Sequence, residues 1–303
     1  IKNFIKSSKT PPIYIGWGSM TLGPSFSPQI ISMIVNTMKN LNKRAIIFSG
    51  YQQLSITDLS PKDLEYAHNN ILVIDNVPHD WLFPQCEALL IHGGVGTTIN
   101  ALRSGRPLLV SPFVFDQFYI AHRIEQLGVG FRVSSMGTLT ASELTDAFTK
   151  LLAPDAPFAQ AAKQIAASPY FQQPSNLGAI KVAQRATTMA KHHRLFPHGV
   201  RPLPQPIVHP SPSRPYRVLL VAGGSRGDTQ PLFAVGAQLL QNIRVPFEVS
   251  AVCSPEFVEF ADQLGFSPVN EFKLSFKKLL REDEEIQAAA AEGDQVKLFT
   301  LMP

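Results

Sequence analysis

Two cysteines in 303 residues, Cys86 and Cys253, are too few and too far apart to form a disulfide framework, and neither stands in a CxxC or Cys/His cluster that would hold zinc. A reducing compartment is the default that follows. No apolar run approaches the length that spans a bilayer, and the opening Ile1-Lys2-Asn3-Phe4-Ile5-Lys6 lacks the apolar stretch and small-residue cleavage site of a signal peptide. The chain therefore reads as cytoplasmic. Charged residues make up only 17%, and the net charge of +4 is spread along the chain rather than clustered with aromatics, which argues against nucleic acid as a partner. That small surplus is compatible with anionic ligands or with peripheral contact at a membrane surface. What the sequence does have is 45% apolar residues, ordinary for globular protein, in a chain long enough for two domains.

Prolines divide it. Between Pro197 and Pro215 the residues Pro202, Pro204, Pro206, Pro210 and Pro212 recur among polar and basic neighbours, which forbids a packed helix or central strand and predicts a semi-rigid linker over 196–215. Before it, the short apolar runs Ile13-Tyr14-Ile15, Ala45 to Phe48, Ile71 to Ile74, Ala88 to Ile91 and Leu108 to Val110 alternate with helical patterns at Ile30 to Met38, about Thr97 to Arg103, about Gln117 to Leu127, Ala141 to Leu152 and Phe158 to Lys191. Strands this apolar, separated by helices, predict an α/β domain over 1–195, a doubly wound parallel sheet covered on both faces. After the linker a second α/β pattern starts, with strands at Arg217 to Ala222 and Phe247 to Val252 and helices at Gln230 to Leu240 and Pro255 to Leu264. From Phe272 the sequence turns charged and helical. Two strands are too few for a doubly wound sheet, so 216–303 reads as a partial second Rossmann-like domain.

The chemistry gathers where strands end. At His92-Gly93-Gly94-Val95-Gly96-Thr97-Thr98 a buried strand gives way to glycines and then to a helix start. Glycines let a ligand approach the backbone, and the free N–H groups and positive dipole end of the helix suit an anion. His92, Thr97 and Thr98 supply further donors; the alternative is a glycine turn beside a satisfied core histidine. Gly16-Trp17-Gly18-Ser19-Met20 also follows a strand, and either lays N–H groups against a phosphate or is a plain turn. Asp116-Gln117 pairs a carboxylate with an amide, suited to several sugar hydroxyls, although Asp at that position also serves as a helix cap. Around Val77-Pro78-His79-Asp80-Trp81-Leu82, backbone groups near Val77 could read a base edge, and Trp81 either stacks on the base or joins the core. Asp228, in Ser225-Arg226-Gly227-Asp228, is placed to act as a general base or to cap its helix with Arg226 as ion partner.

Taken in order, Pro11 to Met20, Val77 to Leu82, His92 to Thr98 and Pro112 to Gln117 resemble the donor domain of UDP-glucose:sterol glucosyltransferases and related inverting transferases of the two-Rossmann (GT-B) type. From Tyr216 onward, with Gly224-Ser225-Arg226-Gly227-Asp228-Thr229-Gln230-Pro231, the sequence is similar to the start of the acceptor domain of the same family. The resemblance implies that His92 and the turn from Gly94 through Gly96, Thr97 and Thr98 hold the diphosphate with help from Gly18 and Ser19. It implies further that Val77 meets the base, Asp116 and Gln117 grip the glucose hydroxyls, and Asp228 is the general base. The donor would be a UDP-sugar and the acceptor a sterol or other lipid-like hydroxyl, with inversion and with no cofactor or metal. Two departures accompany it. The family usually has the acceptor domain first, whereas here the donor half comes first and a partial acceptor half second, as expected of a piece of a tandem enzyme with little activity by itself or of a rearranged gene; a donor-like module that only binds or scaffolds is the competing functional reading. Ile91 also stands where the family commonly has a histidine before His92.

Overall fold

The computed structural model describes residues 1–174, 177–191, 215–242, 246–273 and 275–292; most of the expected linker lies outside these. They form two compact units, Ile1–Gln172 together with Lys277–Pro303, and Gln173–Phe276.

The first unit is built on strands β1 (Ile13–Gly16), β2 (Ala45–Phe48), β3 (Ile71–Ile74), β4 (Leu89–Ile91), β5 (Leu108–Val110) and β6 (Gly130–Arg132). They make one parallel sheet in the order β3-β2-β1-β4-β5-β6. This is the doubly wound arrangement predicted, and the strand order reverses between β1 and β4, where such sheets open a crevice at their carboxyl ends. β1, β4 and β5 are buried along their whole length, which explains why they read as unbroken apolar runs rather than alternating ones.

Helices α1 (Lys2–Lys6), α2 (Ser27–Leu41), α3 (Pro61–Asn70), α4 (His79–Leu82), α5 (Val95–Ser104), α6 (Gln117–Gln126), α7 (Ala141–Leu151) and α8 (Phe158–Ala166) accompany these strands. In α2 the buried Ile30, Ile31, Ile34, Val35 and Met38 fall on one face at helical spacing, and left-handed Asn42 ends it. Helix α3 escapes the apolar pattern because Ala67 is its only buried residue; Ser60 capping the Asp63 N–H and Pro61 in the first turn define its start. Helix α5 begins at Val95, two residues before the sequence reading, because Gly94 is its N-cap.

The second unit has strands β7 (Tyr216–Ala222), β8 (Phe247–Cys253) and β9 (Val269–Glu271), parallel and adjacent in that order, with helices α9 (Leu177–Lys191), α10 (Arg226–Leu240) and α11 (Val258–Gln263). The helical stretch read from Phe158 to Lys191 divides into α8 in the first unit and α9 in the second. Ala183 of α9 packs with Leu220 and Phe233, so α9 covers the second sheet although it precedes the proline-rich stretch. Helices α12 (Phe276–Glu282) and α13 (Glu284–Glu292) follow β9, and the chain from Lys277 onward clusters with the first unit. There Ile286 and Ala289 are buried, Arg281 donates to Gln53 Oε1 at 2.6 Å, and the Ala291 backbone lies against Gly137.

Candidate functional site at the switch point

The turns after β1 and β4 meet at one imidazole. His92 leaves β4 only 7% exposed. A Cβ on Gly18 would stand 2.6 Å from His92 Cε1, and one on Gly94 would collide with His92 Nε2. Both positions must be glycine because backbone is pressed against the ring, and Gly18, at φ +61°, also needs glycine's conformational freedom. Trp17, beside Gly18, is held by its Nε1 donating to Ser111 Oγ at 3.1 Å, which ties the end of β1 to the end of β5. Ser19 sits partly buried at the tip of that turn, closed by Met20 N–H donating to Trp17 O.

This clasp leaves donors without acceptors. His92 Nδ1 and Thr98 Oγ1 are buried and have no hydrogen-bond partner. The first backbone bond of the turn into α5 runs from Thr98 N to Gly94 O, so the N–H groups of Val95, Gly96 and Thr97 precede the helical ladder. Gly94 offers no capping side chain, Thr97 is partly buried, and a side chain on Gly96 would meet open space. Buried polar groups are nearly always paired, and an orphaned imidazole nitrogen beside a helix N-terminus marks a place for an anion. Burial, with a smaller contribution from neighbouring His79, pushes the His92 imidazole down to about 4, so near neutral pH it offers an N–H rather than a charge.

His79 belongs to the same frame and was not singled out from the sequence, although it stands in the Val77 to Leu82 motif. Its ring stacks on Phe83 with centroids 4.5 Å apart, and its Nε2 lies 3.3 Å from Tyr14 Oη. Burial pushes the Tyr14 phenol up, so it remains a protonated hydrogen-bonding group. Val77 is buried in the core cluster, and Trp81 packs against that cluster, which is the core alternative for Trp81. Asn76, Val77, Pro78 and Trp81 form one wall of an open groove of about 600 Å³, with Ile1, Lys2 and Asn3 opposite. A smaller cavity, about 300 Å³, lies between Gly105–Pro107 and Leu151–Lys163 at the amino end of β5, away from the glycine turn.

Asp116 and Gln117 part company. Asp116 is exposed at the start of α6 and makes no capping bond, so its carboxylate is not spent on the helix. Gln117 is 5% exposed, and its Oε1 accepts from Phe113 N at 2.7 Å and Val114 N at 3.1 Å. Its carbonyl oxygen thus braces the turn, and its Nε2 donates to Met20 Sδ at 3.5 Å. The braced turn holds Phe115 in the left-handed region at φ +54°, a conformation that costs a bulky residue on the order of 1–3 kcal/mol. Gly93 packs on the Gln117 backbone, so this turn adjoins the His92 turn. Gln117→Met, which keeps volume and removes the acceptor, is expected to destabilise by about 2–4 kcal/mol in urea unfolding, through the two orphaned N–H groups.

In the second unit Asp228 stands at the third position of α10. Its Oδ2 accepts from Ser225 N at 2.8 Å and Ser225 Oγ at 3.1 Å, completing a capping box. Ser225, not Arg226, is the partner these bonds supply. Among the described residues no group of three His, Cys, Asp or Glu side chains could hold a metal ion, and no helix is long and apolar enough to cross a membrane.

Comparison with known proteins agrees with this geometry. The family described as erythromycin biosynthesis protein CIII-like, C-terminal domain, matches residues 53–185. The Arabidopsis thaliana sterol 3-beta-glucosyltransferase UGT80B1 is 36% identical over 146 residues, 48% of this chain and 22% of that protein. A Saccharomyces cerevisiae sterol 3-beta-glucosyltransferase is 37% identical over 132 residues, 43% of this chain and 11% of that protein. The aligned part thus spans less than a quarter of either relative. The solved glycosyltransferase VinC, in complex with dTDP, superposes with a TM-score of 0.43 at 24% identity, covering 60% of this chain and 44% of that one. The strand order, rather than that superposition, establishes the fold. Through residues 53–185 and the ordered motifs around His92, the first unit of this chain is similar to that C-terminal domain family and to the aligned part of the sterol 3-beta-glucosyltransferases.

Proposed function

We propose that the first unit binds the donor of a glycosyltransferase reaction, a UDP-sugar, and that the whole protein moves a hexose, glucose by the family's habit, to a sterol or other lipid-like hydroxyl with inversion. The observation that carries this reading is the orphaned, buried His92 Nδ1 at the N-terminus of α5. The diphosphate takes the N–H groups of Val95, Gly96 and Thr97, the Thr98 hydroxyl and His92, with Gly18 and Ser19 closing over it. The base lies toward Val77 and the sugar toward Asp116. Stabilisation of the departing UDP then comes from helix dipole and fixed N–H donors, which need no reorganisation as charge develops.

Asp228 is the proposed general base. It takes the proton of the acceptor hydroxyl as that oxygen attacks the anomeric carbon, while the bond to UDP breaks. The two bonds from Ser225 to Oδ2 fix the carboxylate's orientation, which supports the role. They equally suit a cap alone, the reading in which the chain only binds the donor. Asp228→Asn separates the two, since only the base role predicts lost turnover with UDP affinity kept.

Calorimetry with UDP on the 303-residue chain tests the donor site. His92→Ala is expected to weaken UDP by about tenfold or more, the value of a hydrogen bond to a charged group. Unchanged affinity, or no affinity in the parent, removes the assignment.

A further inference from the structure

The smaller cavity of the first unit, about 300 Å³, lies at the amino ends of β4 and β5, so the length of β4 separates it from His92. One side is the chain entering these strands, at Glu87 and at Gly105 to Pro107; the other is the end of α7, the loop that follows it and the first half of α8. Local sequence explains the shape. Helix α7 stops at Leu151, and Pro154 and Pro157 keep the loop from resuming it until α8 starts at Phe158. Left-handed Gly105 ends α5, and a Cβ there would lie 3.4 Å from Ala166 Cβ and 3.6 Å from Lys163 Cα, so α8 packs directly on the entry to β5.

Most of the lining is apolar: Pro107, Leu151, Leu152, Ala153, Pro154 and Ala159. Three charged side chains join it. The Glu87 carboxylate is already taken by Lys43, whose Nζ lies 2.8 Å from both oxygens. Arg106, oriented by donating to the Pro84 carbonyl, and Lys163, exposed on α8, form no ion pair among the described residues. The ends of α5 and α7 at this cavity each carry about half a negative charge, which two full positive charges outweigh. What results is an apolar hollow with a positive rim.

We propose that this cavity is a second ligand site, for an amphipathic anion: Arg106 and Lys163 take its carboxylate, and a short hydrocarbon body lies against Pro107, Leu152 and Ala159. The proposal is independent of the nucleotide-sugar reading, because none of these residues belongs to the donor site.

Octanoate is the probe, titrated by calorimetry into the full chain, with octanol carrying only the body and inorganic phosphate only the charge. Saturable octanoate binding is expected, tighter than that of either control. Lys163→Gln is expected to weaken it by about three- to fivefold, the upper range for an exposed ion pair, and Lys163→Gln with Arg106→Gln to remove it. Ala159→Phe, at an exposed helix position, is expected to block octanoate by filling the hollow while leaving both charges in place. His92→Ala is expected to bind octanoate as the parent does, which separates this site from the donor site. Absence of octanoate binding overturns the proposal, as do octanol binding equally well, affinity unaltered in Ala159→Phe or the double variant, and displacement of octanoate by UDP.

Discussion

Gly94→Ala is expected to abolish measurable UDP binding and to destabilise the first unit by about 1–3 kcal/mol, the cost of over-packing a tight site. The added methyl would collide with His92 Nε2, and the imidazole has nowhere to retreat, since Gly18 lies against its Cε1. Either the ring turns, which moves Nδ1, or the Gly94 N-cap shifts, which re-aims the N–H groups of Val95, Gly96 and Thr97. Both routes spoil the convergence of donors, and positional errors of about 1 Å at such a site cost on the order of a hundredfold. Gly96→Ala is the matched control for fold, because a side chain there meets open space in the free protein. Urea unfolding and calorimetry on both variants check this; UDP affinity kept in Gly94→Ala would show that the clasp on His92 does not form the site.

Acid is expected to weaken the fold through His92. Its folded value of about 4 lies below the ordinary 6.5, so between those pH values the unfolded chain takes up a proton that the folded chain refuses. The stability at stake is fully present above pH 6.5 and declines as pH falls toward 4, by about 3 kcal/mol in all at 1.36 kcal/mol per pH unit. His92→Gln removes the titration, so the difference between the two pH profiles of urea stability isolates it from the carboxylates. Asp63, held down chiefly by its hydrogen bond to Lys39, loses stability on the same side and appears in both profiles. Bound UDP adds a second signature. An anion at Nδ1 favours the imidazolium and lifts the folded value toward 6.5, so saturating UDP is expected to flatten the acid decline. A decline that UDP leaves untouched would place the diphosphate away from His92.

The sheet of the first unit was legible where strands are buried on both faces, because a run such as Leu89-Leu90-Ile91 leaves little else for the chain to do. β6 and β9 were not, since Gly130-Phe131-Arg132 and Val269-Asn270-Glu271 are short and largely polar and are strands only through their neighbours. The returning helices were also hidden: in Glu284–Glu292, Ile286 and Ala289 give three-residue spacing amid charge, too faint to show which sheet they serve. The motifs placed His92, Gly94 and Asp116 at strand ends, as the helix starts and glycines suggested. Two features lay beyond residue type. The amide of Gln117 turns its oxygen inward because Phe113 and Val114 N–H groups are buried beside it. A left-handed phenylalanine has no sequence signal, since propensity argues against it.

The path of the chain also decides how this protein can be cut. It leaves the first unit at Gln172 and re-enters it at Lys277, so residues 173–276 are an insertion within that unit rather than an appendage after it. A shortened version ending near 195 would keep α9 without the sheet it covers. It would also strip from the first unit the surface where Ile286 and Ala289 are now buried, and bare the loops at Gly23 and Gly137 against which Gln287 and Ala291 lie. The smallest autonomous form of the donor site is then a loop-out, with 173–276 replaced by a short flexible bridge and both flanks retained.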